Sequence, residues 1–250
     1  MENRTDLALE SYENQRKTVL PGVKVREQDG ISVVEVLDAR GEKALGKPVG
    51  KYITYRVSPM AQETQLFDGR LERIADLLRG LLPDHPTGGL VAGGGNTAIT
   101  ADALGPETNR YVLATRHIAG ELRRALGPLT DVSTVTTGVL GNTGMESAEV
   151  VAGMVHTVHC VLVVDALAAS SADRLGTTVQ LSNAGIAPGS GVGNHRREIS
   201  ARVLGVPVVA LGIPTVVSSR VLGGTAEEMY VTPREIDQLI NRGAKLLGMS

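Results

Sequence analysis

The sequence predicts an α/β fold, with a mostly parallel sheet flanked by helices and a small β region ahead of it. Three observations carry this. Strand-like apolar runs alternate with helical patterns from Gly88 onward, as βαβ units do. The run Cys160-Val161-Leu162-Val163-Val164 is continuously apolar, as a strand covered on both faces requires. Over residues 62–82, Phe67, Leu71, Ile74, Leu78 and Leu81 recur at steps of four and three, the stripe of an amphipathic helix.

The elements follow in order. Residues 1–20 are polar and weakly patterned, a mobile arm unless docked, with a short helix near Leu7–Tyr12. Val23–Arg26, Ile31–Leu37 and Lys51–Val57 are β-branched runs separated by Gly-containing turns. They form either a region of their own or an extension of the main sheet. Pro83 and Pro86 end the 62–82 helix, and Gly88–Ala92 is a strand leading into Gly93-Gly94-Gly95. A helix carrying Tyr111, Leu113, Ile118 and Leu122 is expected after Pro106, then a strand over Asp131–Leu140. Thr143-Gly144-Met145-Glu146 has the form of a capping box before the next helix. Strands follow at Cys160–Val164, Thr177–Leu181 and Val206–Ile213. Thr232-Pro233-Arg234-Glu235 reads as the start of the last helix, with Pro at its first turn. The division is an arm, 1–20, and a single domain, 21–250, with its β extension at 23–57.

Composition excludes several classes. Aromatic residues make up 2% of the 250, too few for base-stacking surfaces, and a formal charge of −2 implies no affinity for polyanions. Cys160 is the single cysteine, so no intrachain disulfide framework exists. No run approaches the ~20 apolar residues of a membrane span. The N-terminus lacks the apolar core of a signal peptide. A cytoplasmic protein with no membrane or direct nucleic-acid partner is expected.

Four patterns could carry chemistry. Gly93-x-Gly95-x-x-Ala98 follows a strand, as a dinucleotide loop does, but no acidic residue ends the next strand near Thr137–Leu140 to hold a ribose. His156 and His159 are three apart, yet no second cysteine completes a thiolate site, and a helix end explains them better. Ser190 sits in Pro188-Gly189-Ser190-Gly191-Val192-Gly193, which lacks the G-x-S-x-G form of a nucleophile elbow. It reads as a Gly-rich loop that either turns tightly or whose amides, over Gly189–Gly193, bind substrate backbone or an oxyanion. The fourth pattern is a pair of aspartates. Asp102 follows the Gly93–Gly95 loop and Asp165 ends the most apolar strand. In a parallel sheet both reach the same carboxyl edge, where ligand groups collect. Two carboxyls in one cleft drive their pKa values apart, which suits activation of water against a peptide carbonyl. Capping of the helices that follow accounts for the pattern equally well.

Together with these residues, Arg4–Glu10, Asp102–Pro106, Ala114–His117, Gly141–Glu146, Val164–Ala168, Gly185–Asn194, Gly205–Val208, Ile213–Val217 and Val231–Glu235 resemble, in order and spacing, the spore germination protease. That family degrades small acid-soluble spore proteins. The resemblance implies an atypical aspartic endopeptidase with a fold similar to that of hydrogenase maturation proteases. It carries the two essential aspartates onto Asp102 and Asp165. It implies no cofactor and no metal, assembly as a homotetramer, and a zymogen that clips its own N-terminus between Asp6 and Leu7. Substrate contacts are expected from Gly94, Gly95, Asn96, Gly189, Ser190, Gly191, Gly193, Asn194 and His195. His195 stands where the family has Lys, and the segment between Val217 and Tyr230 is short where better-known members carry a long insertion. Two alternatives keep the fold: a metal-dependent maturation-type protease using Asp102, Asp165 and His195, and a non-enzymatic binding module.

Overall fold

The computed structural model describes residues 4–15, 19–62, 68–84, 86–193, 196–223 and 229–250. Phe67, the segment 224–228, Asn194 and His195 lie outside the described residues. One nine-stranded sheet organises the chain. Its strands are β1 (Val23–Gln28), β2 (Ile31–Val36), β3 (Gly50–Arg56), β4 (Gly88–Gly94), β5 (Asp131–Gly138), β6 (Cys160–Ala169), β7 (Thr178–Ser182), β8 (Val208–Ser218) and β9 (Tyr230–Val231). They lie in the order β1-β2-β3-β7-β8-β6-β4-β5, with β9 paired to β8.

The α/β class is as expected, but parallel order is confined to the block β8-β6-β4-β5. The strands from β1 to β7 add to it antiparallel, through β3–β7 and β7–β8. The N-terminal β region is therefore an extension of the main sheet. Asp29 and Gly30, both with positive φ, turn the β1–β2 hairpin as a tight two-residue loop requires.

One face of the sheet packs α3 (Arg70–Arg79), α4 (Leu104–Asn109) and α9 (Ile236–Met249) over a core that includes Ile74, Leu104, Ile213 and Leu246. On the other face, Leu90, Val161, Val163 and Ile199 form a second core with Val151 of α7 (Ser147–Ala152) and Leu204 of α8 (Ala201–Leu204). Farther along that face, α1 (Ala8–Glu13) and α2 (Ala39–Leu45) cover Val34, Val36 and Tyr52. Two short helices, α5 (Gly120–Leu126) and α6 (Leu140–Thr143), flank β5.

Several boundaries differ from expectation. The helix after Pro106 is already under way at Leu104 and stops at Asn109, and α5 is a separate helix. The capping box lies one turn later than expected: Glu146 is the N-cap and exchanges hydrogen bonds with Glu149. The last helix begins at Ile236 instead of just after Thr232. An additional helix, α2, is capped by Asp38 through the amides of Arg40 and Gly41, and Gly46 ends it in the left-handed conformation. Among the described residues, no helix is long and apolar enough to cross a membrane.

Candidate functional site

Asp165 does not end its strand. It lies inside β6, which continues to Ala169, and it points to the face shared by Val161, Val163 and Leu167. It is 5% exposed, and one carboxylate oxygen accepts from the Ala166 amide at 2.9 Å. Asp102 is half-buried at the end of a short 3₁₀ turn, Thr100–Asp102, and accepts from the Asn96 amide at 2.8 Å. That bond points back to the Gly-rich loop. Neither carboxylate caps a helix among the hydrogen bonds of the described residues, which removes the capping explanation.

Glycines bring the two acids together. A Cβ on Gly94 would touch the Asp165 carboxyl at 3.4 Å, and one on Gly95 would collide with the Asp102 carbonyl. Gly95 also has φ +114°, which an L side chain rarely adopts. Gly105 lets the start of α4 press against the Gly94 and Val164 carbonyls. Burial drives the Asp165 carboxyl well above the ordinary carboxylate range, and the charges of Asp102 and Asp6 push it further. Burial also raises Asp102, against the Asn96 bond that lowers it. The pair can therefore hold one proton between them, with Asp165 the protonated member.

The N-terminal arm is docked on this same face. Asp6 pairs with β6 near its end: its amide donates to the Ala168 carbonyl, and the Ala168 amide donates to its carboxylate, both at 2.9 Å. Ser190 Oγ donates to the other carboxylate oxygen at 2.7 Å. Leu7 is fully buried against Leu167, Ala169 and Ile186, a burial worth about 1.5–3 kcal/mol. Beyond it, Glu10 accepts from the Ser170 amide at 2.7 Å and from Thr5 Oγ1, and Glu13 pairs with Arg174 at 2.8 Å.

Two side chains converge on the carbonyl of Asp6. Lys47, in the loop after α2, reaches it at 3.1 Å and the Thr5 carbonyl at 2.8 Å. Gln180 Nε2, from β7, donates to the same oxygen at 3.1 Å, while its Oε1 accepts the Ala8 amide at 2.9 Å. Burial lowers the Lys47 pKa, against the opposing pull of Asp6 and Glu10. The register explains the placing of Gln180. It stands opposite Gly212 on β8, and Gly212 stands opposite Asp165 on β6. Opposed residues share a face, so Gln180 and Asp165 flank Gly212, over which the Leu167 side chain lies. A cleft of about 790 Å³, bounded by Asp6, Lys47, Tyr52, Leu167, Gln180 and Gly212, opens on the Gln180 side. Asp165 lies one strand farther along the same row.

The expected site residues thus divide. Asp102, Asp165, Gly94, Gly95 and Asn96 gather at the carboxyl edge. Ser190, Gly191 and Gly193 close on the arm, where a Cβ would meet Asp6 at Gly191 and Arg4 at Gly193. Gly189 turns this loop in the left-handed conformation. Three of the loop amides expected to bind substrate, those of Ser190, Val192 and Gly193, bond within the loop instead, to Ala187, Gly189 and Ser190. Gly191→Val is expected to displace the arm, since its side chain would enter the space of the Asp6 carboxylate and Ala168 Cβ. Hydrogen exchange at the Asp6 amide should accelerate and thermal stability should fall; unchanged protection would contradict this packing. His159 bonds Thr87 at 2.7 Å, away from this site. Among the described residues, no three His, Cys, Asp or Glu side chains gather to hold a metal ion. Lys47 and Gln180 were missed, having no motif to announce them.

Comparison with known proteins places the chain. A family model described as germination protease matches residues 2–226. The germination protease of Caldanaerobacter subterraneus is 43% identical over 86% of this chain and 69% of its own length. That of Clostridium tetani is 38% identical over 92% of this chain and 75% of its own length. Among solved structures, a NiFe hydrogenase maturation protease from Thermococcus kodakarensis aligns with a TM-score of 0.40 at 17% identity, over 69% of this chain and 96% of that one. With a matching model over most of its length and relatives of this identity, the chain belongs to the germination protease family.

Proposed function

We propose that this protease is an aspartic endopeptidase that begins the degradation of small, acid-soluble, DNA-protecting spore proteins. It acts in the spore or forespore interior and is made as a zymogen that cuts its own chain between Asp6 and Leu7. One observation carries the reading most directly: the Asp6–Leu7 peptide is held in an extended pose by Lys47, Gln180 and Ala168, near the buried Asp165 carboxyl, which faces the charges of Asp102 and Asp6. In this reading Asp102 takes a proton from water as it attacks the Asp6 carbonyl. Asp165 supplies a proton to the departing amine. The pose also suggests the substrate pattern. An acidic residue before the cut meets Ser190 Oγ and the Ala168 amide, and an apolar one after it fills the pocket of Leu167, Ala169 and Ile186. Assembly as a homotetramer belongs to the same proposal.

The test is incubation of purified protein with a small acid-soluble spore protein, read by mass spectrometry. Cuts between an acidic and an apolar residue are expected. A chelator should leave the rate unchanged, because the reading needs only carboxylates to activate water. No cleavage, or cleavage lost to a chelator and restored by one metal, would contradict it.

A further inference from the structure

Hydrolysis of a peptide places negative charge on the carbonyl oxygen as water adds, and peptidases supply donors to that oxygen. Resting on the self-cleavage reading, we propose that Lys47 Nζ and Gln180 Nε2 are the oxyanion donors of this protease. The geometry is specific. Both reach the Asp6 carbonyl oxygen at 3.1 Å, the oxygen on which the charge would develop. They approach from two different elements, the loop after α2 and strand β7. Each is fixed by a second bond to the chain being cut: Lys47 to the Thr5 carbonyl, and Gln180 through Oε1 to the Ala8 amide. These bonds clamp the backbone on both sides of the bond to be broken. Gln180 lies two strand spacings, about 10 Å, from Asp165 across Gly212. The Leu167 side chain covers Gly212 between them, and the Asp6 carbonyl lies on the Gln180 side. Of the amides of the Gly189–Gly193 loop, the other candidates for this task, those of Ser190, Val192 and Gly193 are taken up by bonds within the loop.

The step balances without an added reactant. Water oxygen bonds the Asp6 carbonyl carbon and gives a proton to the ionised aspartate. The carbonyl π pair moves to the oxygen held by Lys47 and Gln180. Collapse of the adduct breaks the bond to Leu7 nitrogen, which takes the proton of the other aspartate. A new carboxyl on Asp6 and a free amine on Leu7 result.

The experiment uses Lys47→Met and Gln180→Ala in the full chain, with circular dichroism as the check on folding. Two reactions are followed: self-cleavage by intact mass, and cleavage in trans of a synthetic peptide of the Arg4–Glu10 sequence by protein lacking only residues 1–6. Each variant should lose on the order of 10²–10³-fold in the self-cleavage rate constant and in kcat on the peptide. Protection of the Asp6 and Ala168 amides from hydrogen exchange should persist. A fall confined to peptide affinity, with kcat unchanged, or loss of amide protection that accounts for the slower self-cleavage, would make the two residues arm-binding groups and overturn the assignment. A wild-type chain intact at Asp6–Leu7 would defeat the self-cleavage reading alone, because the kcat effects on the peptide still decide the oxyanion assignment.

Discussion

Asp165→Asn should abolish peptide hydrolysis and, at neutral pH, make the protein more stable. The first effect follows from the proposed role: loss of a general acid or base costs on the order of 10²–10⁴-fold. The second follows from burial. Asp165 is 5% exposed, and its carboxyl is pushed well above its ordinary 3.8 by burial and by the charges of Asp102 and Asp6. A carboxyl whose folded pKa is raised holds a proton in the folded state that the unfolded chain has released. Its protonation therefore favours folding at low pH. That benefit is lost as pH rises from about 3.8 through the raised folded value. An asparagine carries no charge to bury, so the thermal midpoint should rise at pH 7 by roughly 2–4 °C for each kcal/mol recovered. At pH 4 the gain should nearly vanish. An Asp165→Asn protein that is less stable at pH 7, or that retains near-full activity while folded, would contradict this account of the site. Asp102→Asn should lose activity similarly with a smaller gain in stability, because Asp102 is only half-buried.

Self-cleavage should accelerate as pH falls from neutrality and then decline again at lower pH. Among the described residues, Asp6, Asp102, Asp165, Lys47 and Glu10 bear on the Asp6–Leu7 bond, and Arg4, Lys43, Tyr52 and Glu198 also line the cleft beside it. Acid acts first on Asp165, which is buried and faces the charges of both Asp102 and Asp6. Once Asp165 is protonated and Asp102 still ionised, both chemical roles are filled. Further acidification protonates Asp102 and removes the base. Above the higher apparent pKa of the pair, the rate should fall about tenfold per pH unit, and both limbs belong to the coupled pair instead of to one residue. A rate independent of pH would show that the carboxyl pair does not govern the cut.

Much of the fold could be read from the apolar runs. Cys160–Val164 and Gly88–Ala92 sit where continuous hydrophobicity put them, because burial on both faces leaves no other pattern. Helix ends were harder. Thr143 and Thr232 look like caps, yet Glu146 and Glu235 hold those positions, since side chains with equivalent local chemistry compete within one turn and packing decides. In the site, Asp102 and Asp165 stood out because acids beside glycines and apolar strands are costly to bury. Nothing local distinguished Gln180 or Lys47. A glutamine within a strand and a lysine in a loop both resemble surface residues. Their positions depend on β7 lying antiparallel to β8, a long-range register that puts Gln180 in one row with Gly212 and Asp165. The antiparallel half of the sheet was illegible for the same reason: strand order is decided by contacts between distant segments.

The most direct test of the central claim, that the docked arm is a substrate held beside the Asp102–Asp165 pair, is an intact-mass time course after a downward pH jump. The expected result is a single cut between Asp6 and Leu7, first order and independent of protein concentration because the arm lies on its own domain, and absent in Asp165→Asn. A cut elsewhere, a rate that scales with concentration, or an equally fast cut in the Asp165 variant would contradict it.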